Sequence, residues 1–202
     1  MDDIQGVAHF TVASTSGARP LLRTLHTERV ILEPLTAQHA DEMFAGLSDP
    51  DLHRYMGGSP PESADWLRQR YERLSIRQSP DGREQWWNWV LRLRSNSRLI
   101  GTVQATIAGG EAEIAYVLFH TFWYSGRARE SVSAMIEELK TIGVTSICAS
   151  VDCDNRRSRR LVEVLGFDIR PFPAWRIQDA ATDVWYVLDG ENLQSWQRPV
   201  DR

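Results

Sequence analysis

Residues 122–131 read FWYSGRARES, with a glycine between aromatic and charged residues. It stands between a strand-like segment, EAEIAYVLF at 111–119, and a helix-like segment with one apolar stripe. The stripe recurs at i, i+3, i+4 and i+7, at Val132, Met135, Ile136 and Leu139. Such spacing places the four side chains on one face of a helix. The order of strand, glycine turn and helix predicts a helix that packs on a sheet, with Gly126 just before its first turn.

Gly126 marks a place where a ligand can meet the backbone. A residue without a Cβ atom lets a ligand approach the chain. The first N–H groups of a helix have no partner within the helix and carry the positive end of its dipole, which suits phosphate oxygens. The sequence therefore predicts an anion site here. A turn that needs glycine for its backbone alone would give the same pattern.

A second strand and helix follow in the same way. VTSICASVD at 144–152 has the pattern of a strand, and DNRRSRRLVEVLGF at 154–167 comes directly after it. Asn155 and Ser158 stand at the start of the second helix, and Gly166 ends it. Its inward-facing apolar residues are Leu161, Val162 and Leu165.

The rest of the chain supplies further strands and two more helices. RVILEPL at 29–35 alternates as a first strand, and two amphipathic helices follow it. WWNWVLRLR at 86–94 and LIGTVQATI at 99–107 are joined by the polar turn SNSR, which predicts a hairpin. WYVL at 185–188 adds a last strand.

Composition and charge narrow the classes of function. The 202 residues, 42% hydrophobic and 25% charged, are enough for one soluble domain with a sizeable core. A net charge of -4 gives no overall attraction to nucleic acid or an anionic membrane. No apolar run approaches the roughly 18 residues of a spanning helix, and the start MDDIQGVAHF lacks the features of a signal peptide. Cys148 and Cys153 fit reduced thiols rather than a metal site, so we expect a cytoplasmic protein without metal, nucleic-acid or membrane partners.

Five segments in order resemble the GNAT superfamily of acyl-CoA-dependent N-acyltransferases, and within it the RimJ/RimL-like branch. They are TERVILEPL, LIGTVQATI, AEIAYVL, FWYSGRARES, and the Asn-x-x-Ser and Gly-Phe positions of 155–167. In the glycine turn, Tyr124 and Ser125 stand where a glycine and a basic residue are usual. The resemblance covers about residues 27 to 188. We therefore expect an N-terminal extension at 1–25, an acetyltransferase domain at 26–190 and a C-terminal tail at 191–202.

The resemblance implies a GNAT fold, which is a mixed α/β (α+β) architecture. Its twisted sheet is flanked by helices and splayed in the middle, with acetyl-CoA between the AEIAYVL and SICASVD strands. Backbone groups of Val117 and Leu118 would pair with the pantetheine arm. The pyrophosphate would be held by the N–H groups of Gly126, Arg127, Ala128 and Arg129.

Arg127 and Arg129 add guanidinium charge that suits phosphate. The alternative is a solvated helix start, in which these arginines pair with Glu130 or other nearby carboxylates.

Acetyl transfer to an amine needs an acid for the departing thiolate. Many GNATs use a tyrosine at the position of Val162, which removes that phenol here. The resemblance offers Ser158 instead, one turn earlier, although this hydroxyl would also suit a helix N-terminus. Asn155 is expected to bind the pantetheine amide or to fix its loop.

The base is expected to be a carboxylate near the amine, with a pKa raised by burial. Glu113 matches a recurrent glutamate of the family, and Glu111 lies on the same strand as a second candidate at the acceptor. Asp152 and His120 are weaker candidates. The alternative is that these charged side chains, which alternate with apolar ones along the strand, simply face solvent.

The segment EQWWNWVLR carries three tryptophans on alternating faces of one strand. Trp87 and Trp89 share one face and Trp86 lies on the other, and one of these faces must be core. The remaining aromatic surface suits an acceptor pocket or a dimer contact. We expect Trp87 to line the acceptor pocket.

Three functions fit these patterns. The favoured one is transfer of an acetyl group from acetyl-CoA to a primary amine, on a protein N-terminus or a small molecule, by direct attack. The second is a related GNAT that uses another acyl or aminoacyl donor, or a hydroxyl acceptor. The third is a catalytically silent domain that binds acyl-CoA. The acceptor is not named by the sequence, and a homodimer is left open.

Overall fold

A computed structural model describes residues 21–56, 58–173 and 182–199. They contain one sheet of eight strands in the order β1-β2-β3-β4-β5-β6-β8-β7. The strands are β1 (Leu25–His26), β2 (Val30–Pro34), β3 (Gln85–Leu93), β4 (Leu99–Ala108), β5 (Glu111–Leu118), β6 (Ser146–Asp152), β7 (Asp168–Arg170) and β8 (Asp183–Asp189). The helices are α1 (Ala40–Leu47), α2 (Pro50–His53), α3 (Ala64–Ser75), α4 (Arg127–Thr141), α5 (Arg156–Val164) and α6 (Gly190–Gln194). The predicted mixed sheet flanked by helices is confirmed.

The sheet parts between β5 and β6. These two strands are parallel, and their pairing covers only Glu111–Glu113 against Ser146–Cys148. Beyond this short ladder, β5 continues to Leu118, paired on its other side with β4, and β6 continues to Asp152, paired with β8. The halves of the sheet therefore diverge from Glu113 onward. We call the gap the splay opening; it is the middle splay that the family resemblance implies.

Of three apolar clusters among the described residues, the two larger ones cover opposite faces of the sheet. The larger lies under α4, α5 and α6 and contains Trp87, Trp89, Met135 and Val162. The second lies on the opposite face under α1 and α3, and Trp86 packs against it. Trp87 is only 2% exposed and meets Trp89 edge to face, with 5.8 Å between ring centroids. The prediction that Trp87 lines an acceptor pocket is therefore wrong, because strand alternation placed it on the core side.

Both predicted domain boundaries fall inside packed structure. Leu22 is buried in the larger core, and Arg23 pairs with Glu138 of α4. At the other end, α6 begins at Gly190, and the Trp196 indole N–H donates to the Leu165 carbonyl at 2.7 Å. The domain thus includes part of both predicted extensions, while residues 1–20 and 200–202 lie outside the described residues.

Over the described ranges, none of the helices combines the length and the apolar character needed to cross a lipid bilayer.

Candidate active site

The β5 edge at the splay opening presents backbone groups from every second residue. The Ala112 carbonyl accepts from Cys148 Sγ of β6 at 3.5 Å, and carbonyl directions alternate along a strand. The backbone groups of Ile114 and Tyr116 therefore face the opening.

The carbonyl of Val117 points in the opposite direction, toward β4. Its carbonyl oxygen would lie 2.0 Å from a Cβ atom on Gly101 of β4, so it points away from the opening. The Leu118 carbonyl accepts from the Trp123 indole N–H at 2.8 Å. The prediction that backbone groups of Val117 and Leu118 pair with the pantetheine arm therefore does not fit the Val117 carbonyl, and the Leu118 carbonyl is already engaged by Trp123.

Helix α4 starts beside this opening without a side-chain cap. Ser63 and Asn155 cap α3 and α5 by accepting from Trp66 N–H and Ser158 N–H. The N-cap of α4 is Gly126, which has no side chain for this task. The first backbone N–H groups of α4 therefore have no side-chain cap, and they suit an anion.

The conformation of Gly126 gives glycine a structural reason of its own. Its φ of +73° lies in the left-handed region that side chains rarely adopt. The space where a Cβ atom would stand is not open either, because it would lie 3.3 Å from Nη2 of Arg29. Glycine here therefore also serves the turn and the packing of Arg29, which is the backbone reason that the sequence left open.

Glu130 fastens this turn to the start of the sheet. Its Oε1 accepts from the Arg29 backbone N–H at 2.7 Å and from the Thr27 hydroxyl, and its Oε2 accepts from Arg29 Nε at 2.7 Å. Burial alone would raise the pKa of this carboxyl, but the hydrogen bonds from Thr27 and Arg29 outweigh burial and lower it. The hydrogen-bond donors to Glu130 at this turn are thus Thr27 and Arg29.

The residues predicted to hold pyrophosphate occupy the first turn of α4. Ala128 packs against the larger core. Arg127 Nε is buried and has no hydrogen-bond partner among the described residues. A buried guanidinium nitrogen without a partner is costly, so an added anion would satisfy it. Arg129 lies two residues on, in the same turn.

A cleft of about 350 Å³ opens at the start of α4 and α5. The Arg157 guanidinium carbon lies 3.1 Å from the centroid of the Trp123 ring, which joins the two helix starts. Arg157 Nη1 is buried and, within the described part of the chain, has no hydrogen-bond partner. The cleft is lined by three arginines, two aspartates, three aromatic residues and Asn155: Asp51, Arg54, Tyr55, Trp123, Tyr124, Asp154, Asn155, Arg156 and Arg157.

Ser158 lies on the first turn of α5 and meets a tyrosine from the sheet. The Tyr116 hydroxyl oxygen lies 2.6 Å from Ser158 Oγ and 3.2 Å from the Ser158 carbonyl oxygen. Burial, partly offset by the Ser158 hydrogen bond, raises the pKa of Tyr116 to about 12. Sequence reasoning missed Tyr116, since nothing local to AEIAYVL shows which helix its side chain reaches.

Asn155 Oδ1 accepts from the Ser158 N–H at 3.2 Å, so it fixes the start of α5. This contact matches the loop-fixing alternative for Asn155. Binding of a pantetheine amide stays a prediction.

The predicted bases lie at different distances from the opening. Glu113 forms the last parallel pair with Cys148, at the point where the strands part, and is partly buried. Glu111 is two residues further away, about 7 Å along the strand. Asp152 Oδ1 accepts from the Asp154 N–H at 2.8 Å, and the His120 ring lies 4.3 Å from the Trp123 ring, centroid to centroid, tilted by 55°. Position therefore favours Glu113.

Comparison with known proteins agrees with this geometry. The family model described as Acetyltransferase (GNAT) domain matches residues 29–168. The chain is 29% identical over 147 residues to an uncharacterised N-acetyltransferase, YoaA, of Bacillus subtilis, which covers 71% of this chain and 81% of that protein. A similar relative, p20 of Bacillus licheniformis, is 27% identical over 150 residues, 72% of this chain and 83% of that protein.

A solved GNAT acetyltransferase from Bacillus anthracis shares the fold. Its TM-score is 0.66 at 17% identity, over 83% of this chain and 98% of that chain. Since the family match covers most of the chain and includes the parted strands and the glycine turn, the chain belongs to the GNAT acetyltransferase family and is an acetyltransferase.

Proposed function

We propose that the protein transfers an acetyl group from acetyl-CoA to a primary amine, on a protein N-terminus or a small molecule, by direct attack in a ternary complex. The observation that carries this proposal is the splay opening after Glu113, with the starts of α4 and α5 at its mouth. A thioester can lie in such an opening while an amine approaches from the sheet face. Assignment to the RimJ/RimL-like branch stays a prediction.

The residues present fit a CoA donor. The uncapped start of α4 and the partnerless Arg127 Nε suit the pyrophosphate, and Arg157 Nη1 suits another phosphate oxygen. The free edge at Ile114 and Tyr116 can pair with amides of the pantetheine arm. Arg129 would add charge beside the pyrophosphate. When bound, acetyl-CoA supplies the activated acetyl group.

The chain's own residues divide the proton chemistry between them. Glu113 stands where the opening begins and would accept a proton from the amine, directly or through water, with Glu111 nearby on the acceptor side. Ser158 Oγ would give a proton on the opposite side, to the departing sulfur. Glu113 and Ser158 come from different halves of the parted sheet. This arrangement suits one group that accepts a proton and one that donates a proton on opposite sides of the splay opening.

The deciding experiment measures thiol release from acetyl-CoA with a panel of primary amines and N-terminal peptides. We expect amine-dependent release together with an acetylated product of the corresponding mass. Matched reactions with alcohols and with other acyl-CoA donors test the second function. Release that no amine increases would contradict the proposal. Tight CoA binding without any turnover would instead support a silent acyl-CoA-binding domain.

A further inference from the structure

Tyr116 and Ser158 form a hydrogen-bonded pair across the splay opening. Tyr116 lies on β5 and Ser158 on α5, which follows β6, so the pair joins the two halves of the parted sheet. Tyr116 Oη is 2.6 Å from Ser158 Oγ and 3.2 Å from the Ser158 carbonyl oxygen. The phenol has one proton, so only one of the two serine oxygens can receive a strong hydrogen bond from it.

We propose that Tyr116 is a positioning residue of the acetyl transfer: it donates to Ser158 Oγ and thereby directs the serine proton into the splay opening. The inference rests on the proposed function and adds to it a specific source and direction for the proton. The 2.6 Å distance to Ser158 Oγ is shorter than the 3.2 Å distance to the Ser158 carbonyl and allows the phenol to be the donor.

The proposed step conserves protons and electrons. The C–S bond breaks and its electron pair stays on sulfur, while a C–N bond forms to the amine. Ser158 Oγ passes its proton to sulfur, and the phenol of Tyr116 passes its proton to Ser158 Oγ. The proton that the amine nitrogen loses returns to the phenolate through solvent. The products are an amide and a free thiol, with no oxidant or reductant.

The chemistry of the two hydroxyls supports this order. An aliphatic hydroxyl is a weaker acid than a phenol, so Ser158 alone is a poor proton donor. A phenol behind it restores acidity, although burial holds the pKa of Tyr116 at about 12. Val162, which stands where many relatives have their acidic tyrosine, is fully buried in the larger core. Here the phenol comes from strand β5 instead of helix α5.

The opposite arrangement has a different consequence. If Ser158 Oγ donates to Tyr116 and the phenol donates to the Ser158 carbonyl, the serine proton points away from the opening. Removal of the phenol would then free the serine proton, and turnover would stay the same or rise. The sign of the effect therefore separates the two arrangements.

The test compares Tyr116→Phe with Tyr186→Phe. Tyr186 is a fully buried tyrosine on β8 whose hydroxyl also meets α5, but bonds Arg159 and Glu163 rather than Ser158, so its loss is a matched change that leaves the Ser158 hydrogen bonds in place. We expect Tyr116→Phe to lower kcat by about tenfold or more with the KM for acetyl-CoA nearly unchanged, and Tyr186→Phe to leave kcat unaltered. Ser158→Ala should add little to Tyr116→Phe, because both remove one relay. An unchanged or raised kcat in Tyr116→Phe overturns the inference.

A fluorinated tyrosine at position 116 keeps the ring and the hydroxyl, and it serves if the phenylalanine variant does not fold. Its phenol is more acidic, so the alkaline fall of kcat should move to lower pH. An unmoved pH profile would overturn the inference.

A binding measurement separates this inference from the proposed function. The thiol of bound CoA is titrated by its thiolate absorbance, with no acceptor present. A serine proton aimed at sulfur stabilises the thiolate, so the bound thiol should titrate about one pH unit lower in the wild type than in Tyr116→Phe. Equal titration in both overturns the inference. If the two titrations differ as expected but no amine is acetylated, only the proposed acceptor chemistry is overturned.

Discussion

Arg29 and Glu130 join the first long strand of the sheet to the start of helix α4. The carboxylate of Glu130 accepts from both the backbone N–H and the Nε of Arg29, each at 2.7 Å. Another nitrogen of the same guanidinium lies 3.3 Å from the place of a Cβ atom on Gly126. One arginine therefore touches the glycine turn and the residue four positions later. This clamp sets the direction of the helix N-terminus that faces the proposed phosphate site.

Glu130→Gln tests how much this clamp stabilises the fold. Glu130 is 8% exposed and accepts from Thr27 and Arg29, so loss of its charge should lower the free energy of unfolding by about 1.5–3 kcal/mol. The matched control is Glu137→Gln on the same helix, where the pair with Arg198 is half exposed and should contribute less than about 1 kcal/mol. Urea unfolding of both variants gives the comparison. Equal losses would contradict a special role for Glu130.

The same carboxylate should make stability depend on pH. The pKa of Glu130 is lowered in the folded protein, so the unfolded chain binds more protons in this range and stability rises with pH. The contribution is present above the ordinary glutamate pKa of about 4.3 and is lost as pH falls through the lower folded value. The difference between wild type and Glu130→Gln in urea should therefore shrink below about pH 4.3. A difference that is constant from neutral to acid pH would argue against this linkage.

The separate motifs were visible in the sequence, whereas the clamp between them was not. The strand TERVILEPL and the glycine turn each have a local pattern, and the hairpin of β3 and β4 turns at SNSR as predicted. The contact of Arg29 with Glu130 joins residues about 100 positions apart. The spacing of apolar residues predicts local elements and does not predict such a long-range pair. Short β1 and β7 were missed because two or three residues show no period.

Gly126→Ala separates backbone strain from ligand binding. Gly126 and Gly143 have similar left-handed φ values, +73° and +84°, but nothing lies near the place of a Cβ atom on Gly143. Each alanine should cost about 1–2 kcal/mol of stability from strain. Only Gly126→Ala should also weaken acetyl-CoA binding, because relaxation of this turn redirects the first N–H groups of α4. Titration calorimetry of both variants checks this, and equal affinities would place the phosphate site elsewhere.

Arg157→Ala tests the cleft at the two helix starts. Arg157 stacks on Trp123 and has a buried nitrogen without a partner in the described residues, so it is ready to bind an anion. We expect its loss to weaken CoA binding by about tenfold or more, since a charge-assisted hydrogen bond contributes about 1.5–3 kcal/mol. Arg160→Ala, at an exposed position of the same helix, should change affinity little. Similar effects from both would indicate only general charge attraction, which added salt would remove.

Strand alternation predicted which residues share a face of the sheet, but not which face packs against which helices. It separated Trp86 from Trp87 correctly, but which face meets α4 depends on packing that a single strand does not show. The same limit applies to Val117, whose carbonyl direction follows from the register with Gly101. Tyr116 was missed for a related reason, because its partner Ser158 is 42 residues away on another element.

Val162→Tyr places a phenol where the family resemblance implies one, and the structure predicts that this phenol will not act as the proton donor. Val162 is 0% exposed within the larger core, so a ring there must displace packed neighbours and should cost about 1–3 kcal/mol of stability. Val164→Tyr, two residues further on the same helix and 43% exposed, should be tolerated. In the Ser158→Ala background, Val162→Tyr should leave the slow thiol release unchanged, because Tyr116 already supplies the phenol and the missing link is the serine hydroxyl. Rescue of turnover by Val162→Tyr would instead show that a phenol from α5 reaches the sulfur directly, without Ser158.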